Sequence, residues 1–138
     1  MRKLARESAF QLIYEYQFLK ELNEDTKQAL ILKNKLDEDD VRYLDDVCAG
    51  VVRHYDELTR KLEGALDRQR PERIYRCDRS ILLVALCEML YMPEIPPKVS
   101  VNEAIELSKI YSTEKSGGFI NGILSNFLPG GSDHGEDH

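Results

Sequence analysis

Apolar residues recur three and four positions apart along almost the whole chain. In the first stretch, Ala5, Ala9, Leu12, Ile13 and Tyr16 follow this spacing, which places them on one face of a helix. The strict alternation that marks a half-buried strand is almost absent. The sequence therefore predicts an all-α fold of about six or seven helices.

Prolines and acidic residues predict where these helices begin and end. Asp37 or Asp39 is expected to cap a helix that bends near 54–56, and Pro71 predicts a break. The residues SVNE over 100–103 have the pattern of a capping box, which predicts a helix start there or a residue or two earlier. The other expected helices cover about 2–21, 25–35 and 78–91, with a last one opening at 116–118.

The length of 138 residues fits one domain. We expect a single domain over 1–131, built from two helical subdomains at about 1–70 and 72–129 that share a core. The helix over about 78–91 is apolar on nearly every side, which predicts a central position in the bundle. The acidic tail over 132–138 is expected to be disordered.

Composition favours a cytoplasmic, globular protein with no cofactor and no membrane contact. No apolar run approaches the roughly 18 residues that span a bilayer. The N-terminus lacks the apolar region of a signal peptide. Cys48, Cys77 and Cys87 form no CxxC pair, so we interpret Cys48 and Cys87 as small buried hydrophobic residues and expect no metal site.

No residue pattern indicates catalysis, so we expect no enzyme activity and no catalytic residue. The sequence has neither a phosphate-binding GxxxxGK[ST] loop nor a GxSxG motif. His54 is the one histidine outside the tail, and its acidic neighbours at a helix bend are typical of an exposed polar residue. The carboxylates are dispersed, and none is paired against an apolar stretch as general acid–base catalysis requires.

A cationic cluster at the start of the first helix is the first candidate binding site. Arg2, Lys3 and Arg6 lie where the helix dipole disfavours positive charge, and Arg2 and Arg6 share a face. An anionic partner would reverse that cost, so the cluster is a candidate contact for RNA. A chance-positive, exposed helix start explains the same pattern equally well.

The residues KSGGF over 115–119 are a second candidate. Free backbone NH groups at a helix start can bind a phosphate, and Gly118 lets it approach closely. Lys115 adds charge and Phe119 can stack on a base. Phe119 also has helical spacing to Ile123, which indicates a core role just as strongly. A third basic stretch contains Arg68, Arg70, Arg73, Arg76 and Arg79, but its interleaved acids favour local ion pairs.

Two blocks of sequence resemble the C-terminal signature of NusB proteins. They are VSVNEAIELSK over 99–109 and FINGIL over 119–124, at the family's spacing. RESAFQLIY over 6–14 resembles the family's first helix, and the residues over 78–88 resemble its central helix. The resemblance covers nearly the whole chain except the tail.

The resemblance implies a fold of two packed three-helix-bundle subdomains. It also implies that the chain binds boxA RNA in nascent ribosomal transcripts together with NusE, a small-subunit ribosomal protein. That pair, with other Nus factors, keeps RNA polymerase elongating through termination signals. Arg2, Lys3 and Arg6 match basic positions of the family's RNA-binding arm, and Lys115 and Phe119 fall on the helix start that flanks the RNA site. Tyr14 and Asp78 match positions that face NusE.

The chain departs from the family pattern at several positions. Leu4 and Leu83 stand where arginine is usual, Cys87 replaces a common tyrosine, and the frequent tryptophan before the central helix is absent. The net charge is −6. These features leave a second function open, a protein-interaction adaptor with weak RNA affinity of its own. A third, the accessory domain of an RNA cytosine methyltransferase, would require a catalytic domain beyond these 138 residues.

Overall fold

The computed structural model describes residues 2–66 and 74–129. Within these ranges the chain forms seven α-helices and no strand, so the predicted all-α fold is confirmed. The helices are α1 (Arg2–Leu19), α2 (Glu24–Asn34), α3 (Glu38–Arg53), α4 (Tyr55–Gly64), α5 (Arg76–Tyr91), α6 (Pro97–Tyr111) and α7 (Ser116–Leu124), followed by a 3₁₀ turn over Ser125–Phe127. The tail over 132–138 and the arginines at 68, 70 and 73 lie outside the described residues.

The central position of α5 is confirmed. Every residue from Ser80 to Glu88 is buried, and the helix packs against α1, α3, α4, α6 and α7. Its N-terminal half lies beside the end of α1, where the Gln17 side chain donates to the Arg76 carbonyl. Its C-terminal half lies beside the start of α1, where Arg6 pairs with Glu88. Helices α1 and α5 are therefore antiparallel, and the core forms around both.

Local sequence accounts for most of the observed boundaries. Asp37 caps α3 in a capping box with Asp40, and the expected bend is the break at His54 between α3 and α4. The capping box expected at Ser100 is wrong, since α6 already begins at Pro97. Proline fits the first turn of a helix because its missing N–H would have no intrahelical partner there. Ser100 instead lies inside α6, and its hydroxyl donates to Glu88.

The two cysteines expected in the core are buried there. Burial raises the pKa of both Cys48 and Cys87 to about 12, so each thiol stays protonated at neutral pH. Helices α3 and α5 pack closely at Gly50. A Cβ atom at that position would lie 2.7 Å from the Cys87 Sγ atom, which is inside van der Waals contact. Any larger residue at position 50 would therefore force the Cys87 side chain to move.

Candidate nucleic-acid and partner interface

Arg6 does not belong to an exposed cationic cluster, contrary to the sequence-based expectation. Only 5% of the residue is exposed. Its Nε atom donates to Glu88 Oε2 at 2.7 Å, and a terminal nitrogen donates to Glu88 Oε1 at 3.1 Å. The hydroxyls of Tyr43 and Ser100 also donate to the Glu88 carboxylate. One buried acid therefore joins α1, α3, α5 and α6.

The electrostatics of this group favour the charged form of Arg6 and the protonated form of Tyr43. Burial is the largest single influence and disfavours the charged guanidinium, but the hydrogen bond to Glu88 and the electrostatic interactions with Tyr43, Glu88 and Glu103 together outweigh it and raise the pKa of Arg6 above its ordinary value. Burial, together with the negative charge of Glu88, raises the pKa of Tyr43 well above its ordinary value. The Tyr43 hydroxyl therefore stays protonated and donates to the carboxylate. Such a network fixes the orientation of α1 and leaves Arg6 little freedom to meet a ligand.

Arg2 and Lys3 are the two cations of the first turn that remain exposed. The guanidinium carbon of Arg2 lies 4.7 Å from the centre of the Tyr43 ring. The ammonium of Lys3 lies 3.8 Å from a Glu103 carboxylate oxygen, too far for a strong hydrogen bond. Both cations can therefore turn towards an anion without disturbing the core.

The start of α7 brings together the second group of candidates. Lys115 and Gly118 are exposed, and no side chain caps the first turn of the helix. A Cβ atom at Gly118 would meet nothing within 4 Å, so the space over this turn is open. Phe119 is half-buried and packs against the core cluster. The two interpretations of Phe119 are thus compatible, since part of the ring contacts the core and part remains accessible.

Asp78 is buried, contrary to the expectation of a charged partner contact at a helix start. Only 6% of the residue is exposed. Its carboxylate accepts hydrogen bonds from the Ser112 hydroxyl at 2.6 Å and from the Ser116 hydroxyl at 3.1 Å. These two serines flank the connection between α6 and α7. Asp78 therefore holds the start of α7 against α5.

The structure places the two groups of RNA candidates at different ends of α5. The helix turn that carries Arg2 and Lys3 is anchored by the contact of Arg6 with Glu88. The start of α7 is anchored by the contact of Ser116 with Asp78. Ten helical residues separate these anchors, which corresponds to about 15 Å along the axis. A ligand that contacts both groups must therefore extend along the molecule.

Tyr14 lies in an aromatic strip in which the exposed rings of Tyr14, Phe18 and Tyr111 adjoin the buried ring of Phe10. Its ring centre is 5.3 Å from that of Phe18, and the rings of Phe10 and Tyr111 are 4.7 Å apart. Phe18 is 51% exposed. It was not among the sequence-based candidates, although its spacing of four from Tyr14 places both on one helix face. Exposed aromatic groups of this kind are typical of protein interfaces.

Comparison with known proteins identifies the family of this chain. A model of the NusB family matches residues 3–129. The chain belongs to the NusB family. NusB proteins are transcription antitermination proteins, and that of Bacillus mycoides is 41% identical over 127 residues, covering 91% of this chain and 95% of that protein. The NusB of Finegoldia magna is 35% identical over 127 residues, with 92% and 93% covered.

Solved NusB structures share the fold. The NusB of T. maritima superposes with a TM-score of 0.80 at 26% identity, covering 92% of this chain and 89% of that one. A chain from the crystal structure of antitermination factors NusB and NusE in complex with double-stranded RNA gives a TM-score of 0.78 at 25% identity, with 91% and 94% covered. The predicted NusB-like fold is therefore confirmed.

Metal sites and membrane spans are two further classes of feature that a helical chain can carry. Residues 2–66 and 74–129 hold no group of three or more His, Cys, Asp or Glu side chains placed to bind a metal ion. Nor do they contain a helix with the length and apolar character needed to cross a membrane.

Proposed function

We infer that this chain is an RNA-binding subunit of a transcription antitermination complex. In this proposal it binds boxA-type single-stranded RNA of ribosomal transcripts together with NusE. With other Nus factors it then joins the elongation complex of cytoplasmic RNA polymerase. The observation that carries the proposal is the match to a NusB chain crystallised with NusE and RNA, over 91% of this sequence.

The RNA-binding face in this proposal combines Arg2 and Lys3 with Lys115, Gly118 and Phe119. The first pair supplies exposed positive charge on a chain whose net charge is −6. The second group supplies an uncapped helix start and an aromatic ring, which suit a phosphate and a base. Arg6 does not contact RNA in this proposal. Its pair with Glu88 fixes the position of α1, the helix that carries Arg2 and Lys3.

The NusE-binding face in this proposal is the aromatic strip around Tyr14. Rigid aromatic side chains are enriched in the centres of protein interfaces. Asp78 contributes indirectly, because it holds α6, α5 and α7 together beside that strip.

The test is binding of boxA RNA to the Arg2→Gln/Lys3→Gln variant, measured by fluorescence anisotropy over a series of salt concentrations. The slope of log affinity against log salt should fall by about 0.7 for each phosphate that is no longer neutralised by a cation. Arg53→Gln/Lys61→Gln is the matched control, since it removes two exposed cations from other helices. Equal slopes for the two variants would contradict the assignment of the arm.

The adaptor function remains the second candidate, and the net charge of −6 together with only two exposed cations in the first turn of α1 favours it. An adaptor would bind NusE with full affinity and bind boxA RNA only when NusE is present. Calorimetric titration of each ligand alone, and then of RNA into the complex with NusE, separates the two functions.

A further inference from the structure

A cavity of about 310 Å³ lies where the end of α1 meets the starts of α4 and α5. None of the residues proposed above for RNA or NusE lines it. Lys20 at one edge of this cavity follows Arg2 by eighteen residues, or about 27 Å along a helix. The lining residues are Gln17, Lys20, Tyr55, Ile74, Tyr75, Arg76 and Arg79.

The charge of this cavity is opposite to that of the chain as a whole. Lys20, Arg76 and Arg79 are cationic, and none of the described lining residues is acidic, although the net charge of the chain is −6. Lys20 has no ion-pair partner among the described residues. One terminal nitrogen of Arg79 lies 3.5 Å from a carboxylate oxygen of Glu63, a half-exposed side chain that stands outside the lining.

The position of Arg76 favours the binding of an anion in this cavity. Arg76 is the first residue of α5, where the helix dipole disfavours a cation, and no side chain caps this helix start. Its guanidinium carbon lies 4.5 Å from the centre of the Phe18 ring, which holds it in place without neutralising it. Lys20 differs, because a cation beyond the C-terminal end of α1 is favoured by the dipole of that helix.

Two tyrosines complete the chemistry of the cavity. Burial raises the pKa of Tyr55, although the positive charges of Arg79 and Arg76 act in the opposite direction. Its hydroxyl therefore stays protonated and can donate to an anion. Tyr75 is 73% exposed and presents its ring at the edge of the cavity. An aromatic platform next to clustered cations is the arrangement that single-stranded nucleic acids bind.

We propose that this cavity is a phosphate-binding site for RNA. It takes a backbone phosphate of single-stranded RNA between Lys20 and Arg76, and the adjoining base stacks on Tyr75. Arg79 and Tyr55 form the cationic, hydrogen-bonding wall behind the phosphate. The proposal rests on the RNA-binding function inferred above and adds a second contact, beyond the arm and the start of α7.

The test compares three RNAs on the full chain: boxA RNA, and two versions extended at one end or the other by single-stranded uridines long enough to span about 27 Å. The Lys20→Gln/Arg76→Gln variant should lower the salt slope by about 0.7 on an extended RNA, because one phosphate is no longer neutralised. It should leave the slope on unextended boxA RNA unchanged. Arg53→Gln/Lys61→Gln is again the matched control, since neither residue lines the cavity.

The possible results separate this site from the function on which it rests. Suppose that Arg2→Gln/Lys3→Gln weakens binding of boxA RNA and of the extended RNAs, while the cavity variant has the same salt slopes as the control on both extended RNAs. The cavity site is then wrong and the RNA-binding function stands. If the unsubstituted chain binds none of the three RNAs, alone or with NusE, both proposals fail. Loss of NusE binding by the cavity variant, with unchanged RNA slopes, would assign the cavity to the protein partner and overturn the proposal.

A titration with inorganic phosphate, followed by NMR, distinguishes RNA from free phosphate as the ligand. Saturable shifts of the Arg76 and Cys77 amides that vanish in the cavity variant, combined with unchanged RNA slopes, would show a free-phosphate site and overturn the assignment to RNA. Circular dichroism melts of the variant and the control should agree, because both substituted side chains of the cavity variant are exposed.

Discussion

Arg6 and Glu88 form a buried ion pair with two hydrogen bonds, 82 residues apart in sequence. Both side chains are removed from water, and Tyr43 and Ser100 satisfy the remaining capacity of the carboxylate. In such a group, removal of one partner costs far more than the intact pair contributes, because an uncompensated charge stays buried. The pair therefore controls the stability of the helix that carries the proposed RNA-binding arm.

Replacement of Glu88 by glutamine should destabilise the protein strongly. The shape is kept, but the guanidinium of Arg6 loses its counter-charge, at a cost of about 3–5 kcal/mol. The free energy of unfolding in urea measures this cost. The control is Glu106→Gln, which breaks only the exposed pair with Lys109 and should change stability by less than about 1 kcal/mol. Similar midpoints for the two variants would show that the buried pair contributes little.

Phe119→Ala should weaken RNA binding by about 1–3 kcal/mol, the range for one stacked base, and should also lower stability. Phe127→Ala is the matched control, because that ring is half-buried against the same core and lies in the 3₁₀ turn after α7. RNA affinity is measured by anisotropy and stability by thermal melts. Equal loss of RNA affinity in both variants would assign Phe119 to the core alone.

Asp78→Asn should lower the stability of the fold rather than remove a direct contact with a partner. The asparagine NH₂ group cannot accept a hydrogen bond, so one of the two serine hydroxyls loses its acceptor, at about 1–3 kcal/mol. Urea unfolding measures the change, and the exposed Asp46→Asn should show almost none. If Asp78→Asn kept full stability and yet lost NusE binding, the carboxylate would be a direct contact after all.

Tyr14→Ala and Phe18→Ala should each weaken NusE binding, by about 2 kcal/mol if they are central in the interface. Binding of unextended boxA RNA to the isolated chain should stay unchanged, because the strip lies apart from Arg2 and Lys3. Leu32→Ala is the control, since Leu32 is the most exposed large apolar residue described and belongs to α2. Calorimetry with NusE would contradict the assignment if all three variants bound equally.

Asp37 should make stability depend on pH at the acidic end. The backbone N–H of Asp40 donates to its carboxylate and lowers the pKa of Asp37 below its ordinary value of 3.8. The folded state then binds fewer protons than the unfolded state, so this stabilisation is present above pH 3.8 and is lost as pH falls through the folded-state pKa. Asp37→Asn keeps a good cap without the charge. Urea unfolding across this range should show a weaker pH dependence for the variant, and an unchanged dependence would exclude the mechanism.

The sequence predicted the helices well because periodicity and capping are local properties. Asp37, the break at His54 and the buried run of α5 all follow from neighbours within a few residues. Pro97 shows the limit, since a proline at a first helical turn and a serine three residues later both mark a helix start. The packing of α6 against its neighbours then determines which of the two residues begins the helix. Ser100 lies inside α6, where its hydroxyl donates to Glu88.

The candidate site was predictable by residue type but not by exposure. Arg6 and Asp78 have partners 82, 34 and 38 residues away, and no local pattern identifies such partners. One signal was available for Arg6. Glu88 is the single acid in the apolar run 81–90, and a buried carboxylate requires a cation or several donors. The cavity beside Lys20 could not be predicted, because it exists only where three helix ends meet.

The close approach of Gly50 to Cys87 determines how this sequence can change over time. A side chain larger than hydrogen at position 50 requires a smaller or displaced group at position 87, since a Cβ atom there would lie only 2.7 Å from the Sγ atom. Enlargement of residue 87 alone would press against α3 in the same way. The two positions therefore share one volume, and substitutions at either should be accepted mainly in combination with a compensating change at the other.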